Sequence, residues 1–277
     1  MGFGCNAAGV IGCRIIDSPR ERLVAILTNS LVPCNGRFPA MISLLTIYFI
    51  GLGRFRTLYN AALLTCILIL GVAATLFLSW LLSVTLLKGT PSSFALELPP
   101  YRRPQVGQVI VRSILDRTLF VLGRAVLVAV PAGLLIWCLG NIQISGIPLL
   151  HVCSNAVDPI GRFLGLDGVI LLAFVLGFPA NEIVLPLTLM GYLSVGTLVE
   201  TESLASLAAL LTANGWTSKT ALCFILFSLF HWPCSTTCLT IRKETGSLKW
   251  TLLAAVLPTL LGVFCCSLVN LIASLLF

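Results

Sequence analysis

The sequence contains few charged residues. Only 10% of its 277 residues are Asp, Glu, Lys or Arg, whereas 58% are hydrophobic and the mean hydropathy is +1.04. Soluble globular domains carry about 25% charged residues, so this composition excludes that class. We predict an all-α polytopic membrane protein. In a membrane protein the net charge of +7 does not indicate nucleic-acid binding. The distribution of Lys and Arg among the loops indicates instead which loops are cytoplasmic.

The motifs that carry catalysis or nucleotide binding are also missing. The sequence has no GxxxxGK[ST] phosphate loop, no dinucleotide fingerprint and no recognisable Ser/His/Asp arrangement, so no enzyme activity is predicted for this chain. Its eleven cysteines include no C-x-x-C pair, which argues against a zinc ribbon, and most lie in apolar stretches as ordinary buried thiols do. No cleavable signal peptide is expected after Met1.

Runs without charged residues predict five spanning helices, since crossing the hydrocarbon takes about 20 apolar residues. The segment 168–195 does not fit this series because GFPANEIVLP, residues 177–186, interrupts it. We expect a re-entrant helical hairpin that turns near GFPAN, since irregular backbone is tolerated at membrane depth only inside protein or beside water. The five predicted spans lie in the runs 38–53, 57–87, 125–150, 220–241 and 250–277, the first of which must borrow flanking residues.

One extended polar connection, residues 88–124, sets the predicted orientation. It carries six Lys or Arg residues against two acidic ones, and an excess of basic residues marks cytoplasmic loops. Its part 106–118 has the pattern of an amphipathic helix at the interface. The basic loop 242–249 is expected inside as well, and the acidic segment 196–216 outside.

A short pattern occurs twice in the same order. GFGCN at 2–6 is followed by LVPCNGRFP at 31–39, and GFPAN at 177–181 is followed by HWPCSTTC at 231–238. Paired broken segments in two halves of a membrane protein are typical of a substrate site. We therefore divide the chain into a first Gate-like repeat at 1–87, the linker at 88–124 and a second repeat at 125–277. Only Met1 precedes the first copy, so we expect a limb from a longer protein or another chain.

The two breaks supply candidate ligands for a transported cation. A lone carboxylate such as Glu182 costs about 3 kcal/mol at the membrane centre, so we expect it to face a cation or water. The alternative is a structural carboxylate bonded to free N–H groups. Asn181 is expected to add an oxygen ligand or to cap the second half-helix. A mixed Cys, Asn and Glu site suits a borderline cation such as Fe(II).

The full candidate set is larger. The path or metal candidates are Cys5, Asn6, Cys34, Asn181, Glu182, His231, Cys234 and Cys238, and the candidate backbone breaks are Gly2, Pro33, Gly177, Pro179, Pro186 and Pro233. Buried inert thiols remain the alternative for the cysteines. A membrane-interface position is the alternative for His231, and Arg37 is expected to anchor the membrane boundary rather than to bind an anion. Asp17-Ser18-Pro19 predicts the start of a helix.

Taken together, the motifs resemble the C-terminal membrane region of the FeoB-type ferrous iron transporters, which contains two Gate regions. The most specific blocks are WPCSTTC and RKETGSLKW, with GFPANEIVLP and LPPYRRP in support. The resemblance implies that Cys5, Cys34 and Cys234 lie on the proposed Fe(II) path and that Glu182 is the acidic position of the second Gate.

The same resemblance implies the setting of the chain. It implies a multi-pass protein of the bacterial cytoplasmic (inner) membrane, with the lipid bilayer as surroundings and no tightly bound cofactor. Fe(II) would be the transported ion. The partner would be the N-terminal part of the transporter, which bears the GTPase domain and the first membrane helices. Formation of a homo-oligomer is left open, and no nucleic acid is expected as a partner.

Three functions remain open. The preferred one is inward Fe(II) transport, because the paired breaks carry soft and acidic side chains. The second is a nucleoside or other small-molecule permease of the same architecture, with Asn6, Asn35 and Asn181 bonding the substrate. The third is a membrane assembly subunit or inactive remnant, with residues 88–124 as a partner surface.

Overall fold

A computed structural model of the chain describes residues 2–49, 56–87, 119–144, 146–199 and 203–276, together with the isolated positions 107 and 111. Regular structure in these ranges is almost entirely helical, which confirms the predicted all-α class. The predicted amphipathic helix at 106–118 lies outside the described residues except at those two positions. Glu200 and Glu202, which mark the acidic segment, also lie outside them.

The first half of the described chain begins with three short helices and continues into a long one. Helix α2 begins as the sequence predicts, because the Ser18 hydroxyl accepts a hydrogen bond from the Glu21 N–H at 3.4 Å and Pro19 occupies the first turn. Short 3₁₀ turns at Cys13–Ile15, Asn29–Leu31 and Asn35–Arg37 separate the first three helices. The four helices are α1 (Asn6–Gly12), α2 (Pro19–Thr28), α3 (Phe38–Tyr48) and α4 (Arg56–Val84).

The second half contains helices of 9 to 29 residues and one small antiparallel ribbon. Strand β1 (Gln143–Ile144) pairs antiparallel with β2 (Ile147–Pro148), and a 3₁₀ turn at Asn181–Ile183 precedes α8. The helices are α5 (Phe120–Asn141), α6 (Leu149–Phe163), α7 (Gly168–Leu176), α8 (Val184–Leu193), α9 (Leu204–Ala213), α10 (Ser218–Phe230), α11 (Ser235–Thr245) and α12 (Leu248–Leu276).

Fewer segments qualify as membrane spans than the sequence predicts. By length and composition the described residues contain three candidates, 57–84, 218–245 and 248–275, or four if the bent pair α6–α7 forms one span. The candidate 218–245 consists of α10 and α11 on either side of a break. The prediction for 38–53 is wrong, because α3 ends at Tyr48 after 11 residues, about 16 Å. Met41 and Leu44 of α3 are fully buried, so α3 is an internal half-helix.

The predicted hairpin at 168–195 is present. Helices α7 and α8 have 9 and 10 residues, each about 15 Å and so half of the hydrocarbon thickness. They fold back on each other, because Gly191 near the end of α8 lies against Val169 at the start of α7. In the same region the Tyr192 hydroxyl donates to the Asp167 carboxylate. The chain turns at 177–183, where the sequence places GFPAN.

Different contacts mark the two ends of the bundle. At one end Arg14 forms a bidentate ion pair with Glu244, with N–O distances of 2.6 and 2.7 Å. At the other end Tyr48 stacks on Trp216 with ring centroids 6.4 Å apart, and the Trp216 indole donates to the Tyr192 hydroxyl at 2.7 Å. We call these the Arg14 end and the Trp216 end. Both contacts join the first half of the chain to the second.

Corresponding helices of the two halves run in opposite directions. We call residues 2–87 the first unit and residues 168–276 the second unit. Helix α1 runs from GFGCN to the Arg14 end, whereas α8 runs from GFPAN to the Trp216 end. Helix α3 follows the first Pro-Cys and reaches Tyr48 at the Trp216 end, whereas α11 follows the second Pro-Cys and reaches Glu244 at the Arg14 end. The two units are therefore inverted relative to each other.

Candidate functional site

Four interruptions of the helices meet between the two ends of the bundle. They are the turns 2–5 and 177–180 and the breaks 32–34 and 231–234, and we call their meeting point the junction. Within each unit the turn and the break are joined by the same kind of bond. The Asn35 N–H donates to the Gly4 carbonyl at 3.2 Å, and the Ser235 N–H donates to the Phe178 carbonyl at 2.8 Å.

The backbone of the two units matches closely at the junction. Cys5 has φ −150° and ψ 124°, and Ala180, the corresponding residue of the second copy, has φ −151° and ψ 122°. Cys34 and Cys234 are both extended, with ψ values of 166° and 160°. These four residues precede helical segments, and their extended backbone leaves carbonyl and N–H groups outside regular helix bonding. The match supports the interpretation of the two sequence copies as a repeat.

In each unit a long helix, α4 or α12, packs closely against the backbone of the broken helix. A Cβ added to Gly71 of α4 would lie 3.0 Å from the Leu31 carbonyl oxygen, and one added to Gly262 of α12 would lie 2.8 Å from that of Phe230. Glycine suits both positions, because the neighbouring atoms belong to the backbone and cannot rotate away from an added Cβ. Leu31 and Phe230 end the half-helices that lead into the two Pro-Cys breaks.

Asn181 connects the two units inside the junction. Its side-chain nitrogen lies 3.8 Å from the Cys34 sulfur, and its side-chain oxygen lies 3.3 Å from Nε2 of His231. The 3₁₀ turn that it begins is preceded by Ala180, and no side chain caps that turn. The alternative expectation, that Asn181 caps the second half-helix, is therefore wrong.

The surroundings of His231 fix its tautomer when the ring is neutral. Nδ1 lies 2.9 Å from the Ser228 carbonyl and 3.1 Å from that of Phe227, so it carries the proton and Nε2 accepts. The Asn181 oxygen faces this acceptor and its nitrogen faces the Cys34 sulfur, so exchanging the two amide positions would give Nε2 a donor and leave the oxygen to accept from the Cys34 thiol. His231 is only 1% exposed. The interface position considered for it is wrong, because the ring packs against Phe174 inside the protein.

Glu182 has no hydrogen bond or ion pair within the described part of the chain, and its side chain is exposed. It lies against the first unit, where a Cβ on Gly36 would be 3.7 Å from the carboxylate oxygen Oε2. A structural carboxylate bonded to free N–H groups, the alternative considered from the sequence, is not what the structure contains. The carboxylate is available at the rim of the junction, two residues beyond the extended Ala180.

The other candidate residues occupy different surroundings. Cys234 lies 3.2 Å from the Thr237 hydroxyl. The Cys238 thiol donates to the Pro233 carbonyl at 3.5 Å and lines an apolar groove of about 670 Å³ beside α12. Cys5 is exposed, and Asn6 is 3% exposed. With its amide oriented to pair donors with acceptors, Asn6 donates to the Gly2 and Val32 carbonyls at 3.0 and 3.3 Å.

Five of the six candidate break residues lie in the turns and breaks of the junction, and one does not. Gly2 lies in the first turn, Gly177 and Pro179 lie in the second, and Pro33 and Pro233 lie in the two Pro-Cys breaks. Pro186 does not interrupt a helix. It is the third residue of α8, where its missing N–H has no partner in the helix in any case.

Sequence reasoning missed Arg37. It was expected at the membrane boundary, but it is 1% exposed and lies in the junction. Its guanidinium donates to the Leu229 carbonyl at 2.8 Å and to those of Ser30 and Trp232 at 3.4 Å. The signal was the spacing Pro33-Cys34-Asn35-Gly36-Arg37, which puts Arg37 one turn after the break, but the sequence cannot show the carbonyls that surround it.

In the described ranges no three His, Cys, Asp or Glu side chains come together in the way that a bound metal ion requires. The junction instead offers pairs and single ligands: Cys34 with Asn181 and His231, Glu182 at the rim, and Cys234 beside Thr237. Conduction needs ligands that hold an ion weakly enough to release it. The arrangement is chemically suited to passing a cation along successive weak sites.

The chain is similar to proteins that are named as ferrous iron transporters. The family model described as the ferrous iron transport protein B C terminus matches residues 64–116, and the Gate model, described as nucleoside recognition, matches residues 122–248. The Fe(2+) transporter FeoB of Methanocaldococcus jannaschii is 28% identical over 291 residues, covering 100% of this chain and 41% of the relative.

Further relatives agree. The Fe(2+) transporter FeoB of Staphylococcus aureus is 28% identical over 267 residues, covering 93% of this chain and 37% of the relative. A Porphyromonas gingivalis protein named as a fusion of Fe(2+) transport protein A and FeoB is 24% identical and covers 100% of this chain and 36% of the relative. The chain thus spans about two fifths of the length of these relatives. No solved structure matches it.

Proposed function

Since the chain belongs to the FeoB family and corresponds to its C-terminal membrane part, we propose that it passes Fe(II) across the cytoplasmic membrane through the junction. The observation that carries the proposal is the link from Cys34 through Asn181 to His231, which joins one broken helix of each unit by side chains of mixed thiol, amide and imidazole chemistry.

The ligand types at the junction favour Fe(II) over harder ions. Thiol and imidazole groups suit borderline and soft divalent metals, whereas Mg²⁺ and Ca²⁺ require oxygen ligands. Glu182 adds an exposed carboxyl group at the rim of the junction. A carboxylate that attracts the cation and sulfur and nitrogen groups that receive it form a short series of weak sites. Such a series allows an ion to leave as well as to bind.

The route runs between the Trp216 end and the Arg14 end. The basic loop 242–249 follows Glu244 at the Arg14 end, and basic loops lie on the cytoplasmic side. Fe(II) would therefore enter near Trp216 and leave near Arg14. The partner in this proposal is the N-terminal part of the transporter, because the relatives are more than twice as long as this chain. A GTPase domain there would supply regulation or energy.

The proposal is tested by Fe(II) uptake in an iron-uptake-deficient bacterium that co-expresses this chain with a matching N-terminal part. Cys34→Ser and Glu182→Gln should each lower the initial uptake rate by about tenfold, as expected when a metal ligand or its support is lost. Cys66→Ser is the matched control, because Cys66 is an exposed thiol on α4 that the junction does not use. It should leave uptake unchanged.

The measurement decides between clear outcomes when the amounts of protein in the membrane are equal. Uptake that depends on Cys34 and Glu182 but not on Cys66 supports the proposed path. Parental uptake in both junction variants would refute the assignment of these residues. Equal transport of Mg²⁺ and Fe(II) would refute the argument from ligand type.

A second candidate function has one specific observation in its favour. The Gate model that matches residues 122–248 is described as nucleoside recognition. Asn35 and Asn181 lie at the junction and present amides that could bond a base or a sugar. The test is equilibrium binding of radiolabelled nucleosides to the purified chain without metal. Saturable binding that Asn181→Ala abolishes would favour this function over Fe(II) transport.

A further inference from the structure

Arg37 carries a buried charge without an acidic partner. None of the ion pairs found among the described residues involves it, although its side chain is 1% exposed. A buried guanidinium must be compensated, since an isolated charge in the protein interior is strongly unfavourable. Three backbone carbonyls provide the compensation, and Nε remains buried without an acceptor in the described part of the chain.

Those carbonyls lie where two half-helices end. Ser30 lies in the 3₁₀ turn that follows α2, Leu229 lies in the last turn of α10, and Trp232 lies in the break that follows α10. The C-terminal end of a helix carries a partial negative charge, because its last carbonyls have no partner in the helix. In transporters built from broken helices, such ends and unwound carbonyls coordinate the transported cation. At this junction the protein's own guanidinium occupies that position.

The contact crosses from one unit to the other. Arg37 belongs to the first unit, whereas Leu229 and Trp232 belong to the second. The guanidinium also lies near Cys34 and Cys234, the cysteines of the two breaks. Any movement that separates the two breaks must therefore remove donors of Arg37 from carbonyls of the second unit.

The second unit has no matching cation. Counting from the Pro-Cys pair, Thr237 occupies the place that Arg37 has in the first unit. Thr237 is fully buried, and its hydroxyl lies 3.2 Å from the Cys234 sulfur. A single positive group thus serves both half-helix ends.

We propose that Arg37 is a tethered cation that occupies the carbonyls at the two half-helix ends and holds the junction closed between the units. The inference rests on the proposed cation path. A transported ion reaches these carbonyls only when the guanidinium moves away from them, and the positive charge of Arg37 repels other cations while it remains there. Arg37 thereby acts as a gate and positioning residue rather than as a ligand.

Water accessibility of Cys34 and Cys234 tests the closure directly. The purified chain in lipid vesicles is treated with a cationic and, separately, an anionic methanethiosulfonate reagent, and the modification of each cysteine is followed by mass spectrometry. Arg37→Ala should raise the rates with both reagents by at least about tenfold, the change expected when charge-assisted hydrogen bonds are lost. A change in charge alone would speed the cationic reagent and slow the anionic one.

Two further variants and a chemical rescue sharpen the test. Arg37→Lys keeps the charge and should label like the parent, and it remains informative if Arg37→Ala does not fold. Arg20→Gln is the matched control, because Arg20 also donates to carbonyls, those of Ser83 and Leu87, but at the end of α4 away from the junction. Methylguanidinium ion added to Arg37→Ala should slow labelling again by filling the vacant cation position.

The outcomes separate this inference from the proposed function. Unchanged labelling in Arg37→Ala, or labelling in Arg37→Lys as fast as in Arg37→Ala, would overturn the gate. Fe(II) influx into vesicles loaded with a metal-quenched dye is measured in parallel. Faster labelling without faster influx would leave the gate standing and refute the cation path. Influx that depends on Cys34 with labelling independent of Arg37 would support the path and refute the gate.

Discussion

The two units share a backbone but not a chemistry. Cys5 and Ala180 have nearly the same φ and ψ, as described above, and the breaks at Cys34 and Cys234 are joined to their turns by the same kind of hydrogen bond. The side chains differ where they face the junction. The first unit contributes Arg37, which is buried. The second contributes the exposed carboxylate of Glu182 and the ring of His231.

The difference separates the roles of architecture and chemistry. The shared turns and breaks leave carbonyls and N–H groups outside regular helix bonding, and this requires only glycine, proline and extended residues. Which ion these groups receive depends on side chains that the two units do not share. Glu182 and His231 on one side and Arg37 and Cys34 on the other make the junction asymmetric. Variants that act on one unit alone can therefore test this asymmetry.

The largest expected effect concerns the contact between the units at the Trp216 end. Trp216 is 4% exposed, stacks on Tyr48 and donates to the Tyr192 hydroxyl. Trp216→Ala should lower the free energy of unfolding in detergent by about 3–5 kcal/mol, as large-to-small core substitutions do. Trp137→Ala is the control, because Trp137 is 56% exposed on α5, and it should change stability little. Equal effects would mean that the Trp216 contact does not hold the units together.

The next largest effect on stability is expected where the long helices α12 and α4 approach the broken helices. Gly262→Ala should cost about 1–3 kcal/mol through overpacking, because its Cβ would meet the Phe230 oxygen at 2.8 Å. Gly71→Ala should cost less, since its nearest atom, the Leu31 oxygen, lies at 3.0 Å. Thermal unfolding in one detergent ranks the two. Gly133→Ala, with nothing near its Cβ, should be neutral or slightly stabilising, and a reversed ranking would contradict the geometry.

A third prediction sets Asn6 against Asn181, the corresponding residues of the two units. Asn6→Ala should destabilise the protein by about 1–2 kcal/mol, because the Gly2 and Val32 carbonyls lose the donor that the buried Asn6 amide gives them. Asn181→Ala should change stability less and lower Fe(II) uptake more, since its partners are Cys34 and His231. Chemical unfolding and uptake assays on the same two variants check both parts. Equal uptake in both would remove the proposed special role of the second unit.

The smallest effect belongs to the ion pair at the Arg14 end. Arg14 has a side chain that is 60% exposed, so its bond to Glu244 is screened and should contribute less than about 1 kcal/mol. Arg14→Gln should lower the midpoint of thermal unfolding slightly at low salt and not at high salt. Glu244→Gln should behave in the same way, and their combination should not add to either one. An effect independent of salt would point to packing instead.

The sequence predicted the parts of this architecture that depend on local backbone chemistry. GFPAN carries a glycine and a proline inside an apolar run, and the chain turns there; Ser18-Pro19 starts a helix, and one does begin there. The error at α3 has a physical cause. A charge-free run shows that a segment avoids water, but it does not distinguish a membrane span from a half-helix buried by neighbouring helices, such as α3.

The side-chain contacts at the junction could be predicted less well from the sequence. Cys34, Asn181 and His231 are far apart in the chain, and their proximity depends on how the two units pack. Arg37 was expected at the membrane boundary rather than inside the protein, where a buried arginine usually needs an acidic partner. Its partners are backbone carbonyls, and every residue carries one, so composition and spacing give no sign of them. The burial of His231 was missed for a related reason, since its bonds also go to the backbone.

The inverted arrangement of the units has one more consequence. The half-helices α1 and α8 leave the corresponding turns toward opposite ends of the bundle, and so do α3 and α11 after the two breaks. If the two units exchanged their backbone conformations, the junction would open toward the opposite side of the membrane. The inward-facing and outward-facing forms of such a protein would then have similar free energies. A small bias, such as the binding of another domain, would suffice to choose between them.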